Sequence, residues 1–186
     1  MRLAYAAILL AAAGMPAALA LRAQQTLTDS QVKAAYLFNF LKFVDWPDGQ
    51  PSELQGRWVL GVVGDTPVGA DLKQLVSGKL ILGHELEVKT YSSTEDLRGC
   101  NVLFIGASEK KRLASILSSL RGSSVLTVAD MDHFVASGGM IQFVIDDSRV
   151  RVAIDVGATA RARLKVSSKL LSLALAVTGS EAVARN

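Results

Sequence analysis

Cysteine is almost absent from this chain: Cys100 stands alone among 186 residues. An oxidising compartment permits disulfides, but an internal bridge needs a second thiol. Cys100 therefore reads as a small buried residue at the start of an apolar strand. An intermolecular bridge or a reactive thiol is the alternative. Histidine is nearly as scarce, and His84 and His133 lie far apart in sequence with different neighbours. No pair of His or Cys and no carboxylate cluster has the spacing of metal ligands. No nucleophile elbow of the G-x-S-x-G type is present. Scattered Ser, His and Asp residues leave a triad formally open. Asp146 and Asp147 adjoin in a turn, whereas a general acid and base need opposed environments. With only 4 prolines and 15 glycines, a collagen-like or long disordered tract is excluded. The formal charge of +3 is too small to imply nucleic acid.

Apolar residues are plentiful, at 50%, and the length suits one domain with a real core. The first of them belong to a leader. Arg2 gives a short positive start, Leu3 to Ala13 is an apolar run, and Ala18-Leu19-Ala20 presents small residues. This is the pattern of a secretory signal peptide over residues 1–20, cleaved after Ala20 or alternatively Ala23. A membrane anchor is the competing reading, but Gly14 and Pro16 interrupt the run and no basic stop-transfer cluster follows. No cysteine stands at the cleavage site to carry a lipid. Export removes Arg2 and leaves a charge of +2. Residues 21–27 are expected as a flexible N-terminus, 28–179 as one α/β domain, and Ser180 to Asn186 as a frayed tail.

The mature chain opens with a helix capped by Thr28 or Asp29. Val32, Tyr36, Phe40 and Phe43 or Val44 recur at helical spacing, and Leu37, Phe38 and Leu41 add a second stripe, so both sides are expected to be covered. Asp45-Trp46-Pro47 ends it, since the residue before proline is pushed out of helical space. Core packing explains this aromatic row; a patch for a partner protein is the alternative. Arg57 to Asp65 is a near-continuous apolar strand of the kind covered on both faces. Pro67 opens a helix with Leu72, Leu75 and Val76 on one side. Glu85 to Ser93 alternates, as a half-buried strand does. Cys100 to Ile105 is another strand. Ser108 is expected to cap a helix from Glu109 to Leu120, closed by Arg121-Gly122.

From Val125 to Ala174 nearly every apolar residue has a periodic place. Val125 to Val128 reads as a strand, and Asp130 as the cap of a helix over Met131 to Ala136. Gly138-Gly139 turns the chain into a hairpin. Its strands carry Ile141, Phe143 and Ile145, then Val150, Val152 and Ile154, each set on one face, with Asp147-Ser148 as the turn. A weak helix from Val156 to Leu164 and a last helix capped by Ser167, with Leu170, Leu171, Ala174, Leu175 and Val177 apolar, complete the domain. The alternation of strands and helices before the hairpin predicts an α/β fold. It is a single-domain, mixed, mostly parallel sheet with helices on both faces, and it ends in a C-terminal β-hairpin plus closing helix.

Two stretches could bind something. The turn holding Gly64, Asp65 and Gly69 joins a strand to a helix N-terminus and could hold a phosphate. It matches neither G-x-G-x-x-G nor the P-loop, Pro67 removes a donor, and a tight turn is the simpler reading. The last quarter is basic, through Arg149, Arg151, Arg161, Arg163, Lys165 and Lys169, partly offset by Asp146, Asp147 and Asp155. A solvated face explains this; steering towards an acidic protein surface is the alternative.

Several stretches together resemble the YfiR-like periplasmic proteins. Val32 to Pro47 is similar to their opening helix, Gly61 to Asp65 to their first strand and turn, and Cys100 to Ile105 to their middle strand. Val125 to Val128, Phe134, Gly138 to Ile141, Arg149 to Arg151, Leu164 and Ser167 to Leu171 are similar to their C-terminal signature, in order. The resemblance spans about Thr28 to Val177. It implies an exported protein with no enzymatic activity and no cofactor. It also implies a partner: the periplasmic sensory region of a membrane-bound diguanylate cyclase, which such proteins hold inactive. Release by an envelope signal, often through an outer-membrane lipoprotein, raises cyclic-di-GMP and promotes biofilm. A homodimer is also implied. The chain departs from the family in having no partner for Cys100, and in Asp155 where an Asn is usual. On this reading the partner-binding candidates are the hairpin tip and basic edge at Asp147, Arg149, Arg151 and Arg161. The alternative function is a periplasmic sensor of a small ligand or cell-wall fragment with no cyclase partner. It would use Gly64, Asp65 and Gly69 or a pocket beside the first helix. An enzyme such as a hydrolase is disfavoured because no set of residues meets the required geometric roles.

Overall fold

The computed structural model describes residues 27–47, 56–92 and 96–179. The expected signal peptide and the C-terminal tail lie outside the described residues, as does nearly all of the expected flexible N-terminus.

Helix α1 (Asp29–Phe43) starts at Thr28, one of the two expected caps. The Thr28 hydroxyl accepts from the Gln31 amide at 3.3 Å, while Gln31 Oε1 accepts from the Thr28 amide at 3.0 Å. This reciprocal pair satisfies two otherwise orphaned donors. The helix stops at Phe43. Val44 is already extended, and β1 (Val44–Asp45) pairs antiparallel with β9 (Lys165–Val166). Trp46 then packs edge-on against Trp58, with ring centroids 5.3 Å apart.

Strand β2 (Trp58–Val63) is buried throughout. It is followed by α2 (Val68–Val76), with Pro67 one residue before the helix rather than at its first position. A short hairpin that the alternation did not suggest comes next, β3 (Leu80–Ile81) with β4 (His84–Tyr91). Strands β5 (Val102–Ile105) and β6 (Leu126–Ala129) flank α3 (Leu113–Ser119). The expected helix over 109–120 is really a 3-10 stretch, Ala107–Arg112, leading into α3. Ser108 caps neither: its hydroxyl accepts from the Asp65 amide across the sheet end, at 2.9 Å. The expected helix over 131–136 is a series of turns. Its proposed cap, Asp130, instead pairs with Lys33 of α1 at 2.7 Å.

The hairpin of β7 (Ile141–Asp146) and β8 (Arg149–Asp155) forms as the alternation predicts, in register from Ile141 opposite Ile154 to Asp146 opposite Arg149. After it come α4 (Val156–Arg161) and the single-turn α5 (Ser168–Leu171), with Ser167 as its cap. The expected long closing helix ends there. Ala176–Thr178 forms β10, parallel to β8. The sheet order is β10-β8-β7-β6-β5-β2-β4-β3. It is parallel from β4 through β7, and β8 and β3 are antiparallel to their neighbours β7 and β4. The fold is thus a mixed, mostly parallel α/β sheet.

Helices cover both faces, which is why the central strands read as unbroken apolar runs. Leu60, Val62, Val102 and Phe104 join α1, α2 and α5 in one core. Val59, Val63, Leu103 and Ile105 join Leu113, Ile116 and Phe134 in the other. In the first core Phe40 stacks on Phe143 at 6.2 Å and Tyr36 meets Phe143 edge-on at 5.7 Å. Fully burying each such ring is worth about 1.5–3 kcal/mol. These contacts anchor α1 to the hairpin.

Candidate interaction surface

The hairpin tip is built by a two-residue turn. Asp147 and Ser148 both have positive φ, 45° and 59°, the handedness that matches the twist of paired strands. Aspartate tolerates this region through its short polar side chain, whereas Ser148 does so less readily. Asp147, Ser148 and Arg149 are exposed. The core stops short of the tip: Phe143 is buried, but Ile145, expected on the same face, is 59% exposed. On the opposite face of the hairpin Gln142, Val144, Arg151, Ala153 and Asp155 are all partly exposed. Arg151 therefore lies on a half-open sheet face, two residues along β8 from Arg149.

Arg161 does not join them. It sits beyond the far end of β8, a strand of seven residues, so at roughly 3.3 Å per residue it is about 20 Å from the tip. Its guanidinium lies 4.0 Å from the Asp155 carboxylate. Asp155 itself has a structural role, because its Oδ1 accepts from the Ala158 amide at 2.9 Å and caps α4. An Asn there would cap equally well.

The Gly64–Gly69 turn lies at the carboxyl end of β2. The chain runs from β2 to β4 on one side and crosses back to β5 on the other. This is a topological switch point, the place where open α/β sheets bind ligands. Here it is occupied by the protein. The Asp65 amide donates to Ser108, and a Cβ on Gly64 (φ 95°) would lie 2.6 Å from the Ser108 hydroxyl and 2.8 Å from Glu109 Cγ. Gly69 is buried on α2 against Val62, which gives it a packing reason. Beside α1, Val32, Tyr36, Asn39, Phe43 and Leu173 line a groove of about 180 Å³.

Sequence patterning missed the C-terminal edge. β10 is the outermost strand of the sheet, and around it Leu173 and Leu175 are each 50% exposed and Val177 is 42% exposed. This apolar strip runs on from the α1 groove through Leu173. The signal available was the β-branched pair Val177-Thr178, which favours a strand over the helix inferred from Leu170, Leu171, Ala174 and Leu175.

The titratable residues are dispersed. His84 Nδ1 lies 3.0 Å from the Gly56 carbonyl oxygen, and His133 is exposed in a left-handed turn. Among the described residues, no group of three or more His, Cys, Asp or Glu is placed to hold a metal ion. Among them also, no helix is long and apolar enough to cross a membrane. Cys100 is buried, its thiol donates to the Leu97 carbonyl at 3.0 Å, and burial pushes its pKa up to about 12.

The family profile of YfiR/HmsC-like proteins matches residues 30–175, from α1 to the start of the C-terminal edge. The chain belongs to the YfiR/HmsC-like family. No curated protein matches it. Solved structures that share the fold include two of low sequence identity. One is a conserved domain protein from Vibrio cholerae O1 biovar El Tor strain N16961, with a TM-score of 0.54 and 11% identity, covering 82% of this chain and 61% of that one. The other is the ABC domain in complex with L-Trp from Streptococcus pneumonia, with a TM-score of 0.53 and 11% identity, covering 80% and 60%. The chain spans about three fifths of the length of each. At that identity the likeness is one of fold alone.

Proposed function

We propose that this YfiR/HmsC-like protein is a periplasmic regulator that binds the periplasmic sensory region of an inner-membrane diguanylate cyclase and holds the enzyme inactive. Family membership over residues 30–175 carries this reading. The leader-like pattern of residues 1–20 supports the compartment. The scatter of His84, His133 and Cys100 over separate elements fits a protein that binds rather than catalyses. On this reading the exposed hairpin tip, Asp147 and Arg149 with Arg151 behind them, meets the cyclase, and Arg161 belongs to a different part of the surface. An outer-membrane lipoprotein would relieve the repression, and the regulator would work as a homodimer.

The test is genetic and biochemical. Deleting the gene should raise cellular cyclic-di-GMP and biofilm, and the purified protein should capture a cyclase periplasmic domain from membranes. Unchanged cyclic-di-GMP together with no captured cyclase would overturn the proposal. A small-ligand sensor without a cyclase partner would then be the reading to pursue, with the switch point at Gly64 and Asp65 as its first place to look. A ligand there must displace the Ser108 hydroxyl from the Asp65 amide.

A further inference from the structure

A half-open cavity of about 320 Å³ lies at the amino ends of β6 and β7, between the end of α3 and α4, and shares no lining residue with the hairpin tip or the α1 groove. One side of it is aliphatic, with Leu117 and Leu120 from the end of α3, Met140 before β7, and Ala158 and Ala162 from the α4 region, while Ser123 and Thr127 bring hydroxyl groups to the lining. No aromatic ring lines it. Two guanidinium-bearing residues, Arg121 and Arg161, also line it. Arg161 has Asp155 as a 4.0 Å neighbour, while no ion pair among the described residues involves Arg121.

Each wall is fixed by its own bonds. Arg98 donates to the carbonyls of Ser119 and Arg121 at 2.7 and 3.0 Å and pins the end of α3. The Thr127 hydroxyl, on the sheet, accepts from the Met140 amide at 3.2 Å. Asp155 caps α4. The walls are therefore held in place, which lowers the ordering cost of binding, while the Arg161 side chain is 69% exposed and must be ordered by the ligand.

We propose that this cavity binds a medium-chain aliphatic carboxylate, the chain lying against Leu117, Leu120, Met140 and Ala158 and the carboxylate meeting Arg121 and Arg161. The half-open space of about 320 Å³ is large enough to seat an alkyl chain of several carbons, and an eight-carbon fatty acid serves as the probe. The walls suit an alkyl chain, which needs no ring to stack on. The charge is complementary, and a guanidinium fork matches a carboxylate in geometry as well as sign. The site is separate from the surface proposed to meet the cyclase, so it stands whether or not that reading does.

Isothermal titration of the purified mature protein with octanoate should give saturable one-to-one binding. Butyrate, with too short a chain, and octanol, with no charge, should each bind at least about tenfold more weakly. Replacing both arginines, Arg121→Gln with Arg161→Gln, should weaken octanoate about tenfold while leaving octanol unchanged. Asp155→Asn keeps the α4 cap but removes the carboxylate competing for Arg161, so it should tighten octanoate binding. That gain does not depend on any variant losing structure. Ala158→Val should fill the cavity and reduce both octanoate and octanol. Absence of saturable octanoate binding, equal affinity for octanol, or binding indifferent to both the arginine and the Asp155 substitutions would each overturn the assignment.

Discussion

Lys33 Nζ lies 2.7 Å from Asp130 Oδ2, joining the first turns of α1 to the carboxyl end of β6 across 97 residues of chain. Both side chains are mostly buried, with 16% and 21% of their area exposed, so the pair is screened less than a surface pair. Losing one partner strands the other charge in a poorly solvated site. Lys33→Met should therefore cost about 1–3 kcal/mol in urea unfolding. Adding Asp130→Asn should recover part of that loss. A double-mutant cycle with no coupling would show that the ion pair does not hold α1 in place.

Ser148 carries a positive φ at the hairpin tip, where glycine is unstrained. Ser148→Gly should raise stability by about 0.5–1 kcal/mol, because relief of the left-handed backbone outweighs the added freedom of the unfolded chain. Asp147→Gly should gain less, since Asp accepts this region more easily. Thermal unfolding of the two variants checks the order.

A thiol ordinarily titrates near 9, and burial pushes Cys100 up to about 12. The folded state therefore keeps the thiol neutral where the unfolded chain would ionise it. The resulting stability is fully present below about pH 9 and is lost as pH rises from there towards 12. Tyr91, also raised by burial first and by Cys100 second, acts in the same direction at higher pH. Native protein at pH 8 should resist iodoacetamide and react only when unfolded by urea, as an inaccessible thiol must. Rapid modification of folded protein would contradict the burial of Cys100.

What patterning could read was decided by how local the cause was. The strands at Trp58–Val63, Val102–Ile105 and the Ile141–Asp155 hairpin were legible because two-sided burial or a period of two writes itself into consecutive residues. Ser108 and Asp130 both look like helix caps in sequence. Each is drawn away by a distant partner, Asp65 in one case and Lys33 in the other, which no local window contains. The C-terminal misreading has the same origin. Leu170, Leu171, Ala174 and Leu175 fit a helix, but Ala176–Thr178 gains a ladder to β8. The surface was the least legible part. Arg149, Arg151 and Arg161 form one basic run in sequence, yet β8 carries Arg161 to the opposite end of the sheet. The cavity between α3 and α4 exists only through contacts distant in sequence.

If the proposed cyclase partnership holds, two surfaces compete as its contact: the charged hairpin tip and the apolar strip of Leu173, Leu175 and Val177 along β10. They make different kinetic predictions. Exposed charges act mainly on encounter, so Arg149→Glu with Arg151→Glu should slow association several-fold at low salt and matter less at high salt. Apolar contacts and strand addition at an open edge act mainly on lifetime, so Leu173→Ser with Val177→Lys should speed dissociation with little change in association. Biolayer interferometry against an immobilised cyclase periplasmic domain separates the two. If the hairpin tip is the contact, the charge reversal lowers affinity and the apolar change leaves it intact. The reverse pattern would move the interface to the C-terminal edge and leave the tip a solvated turn.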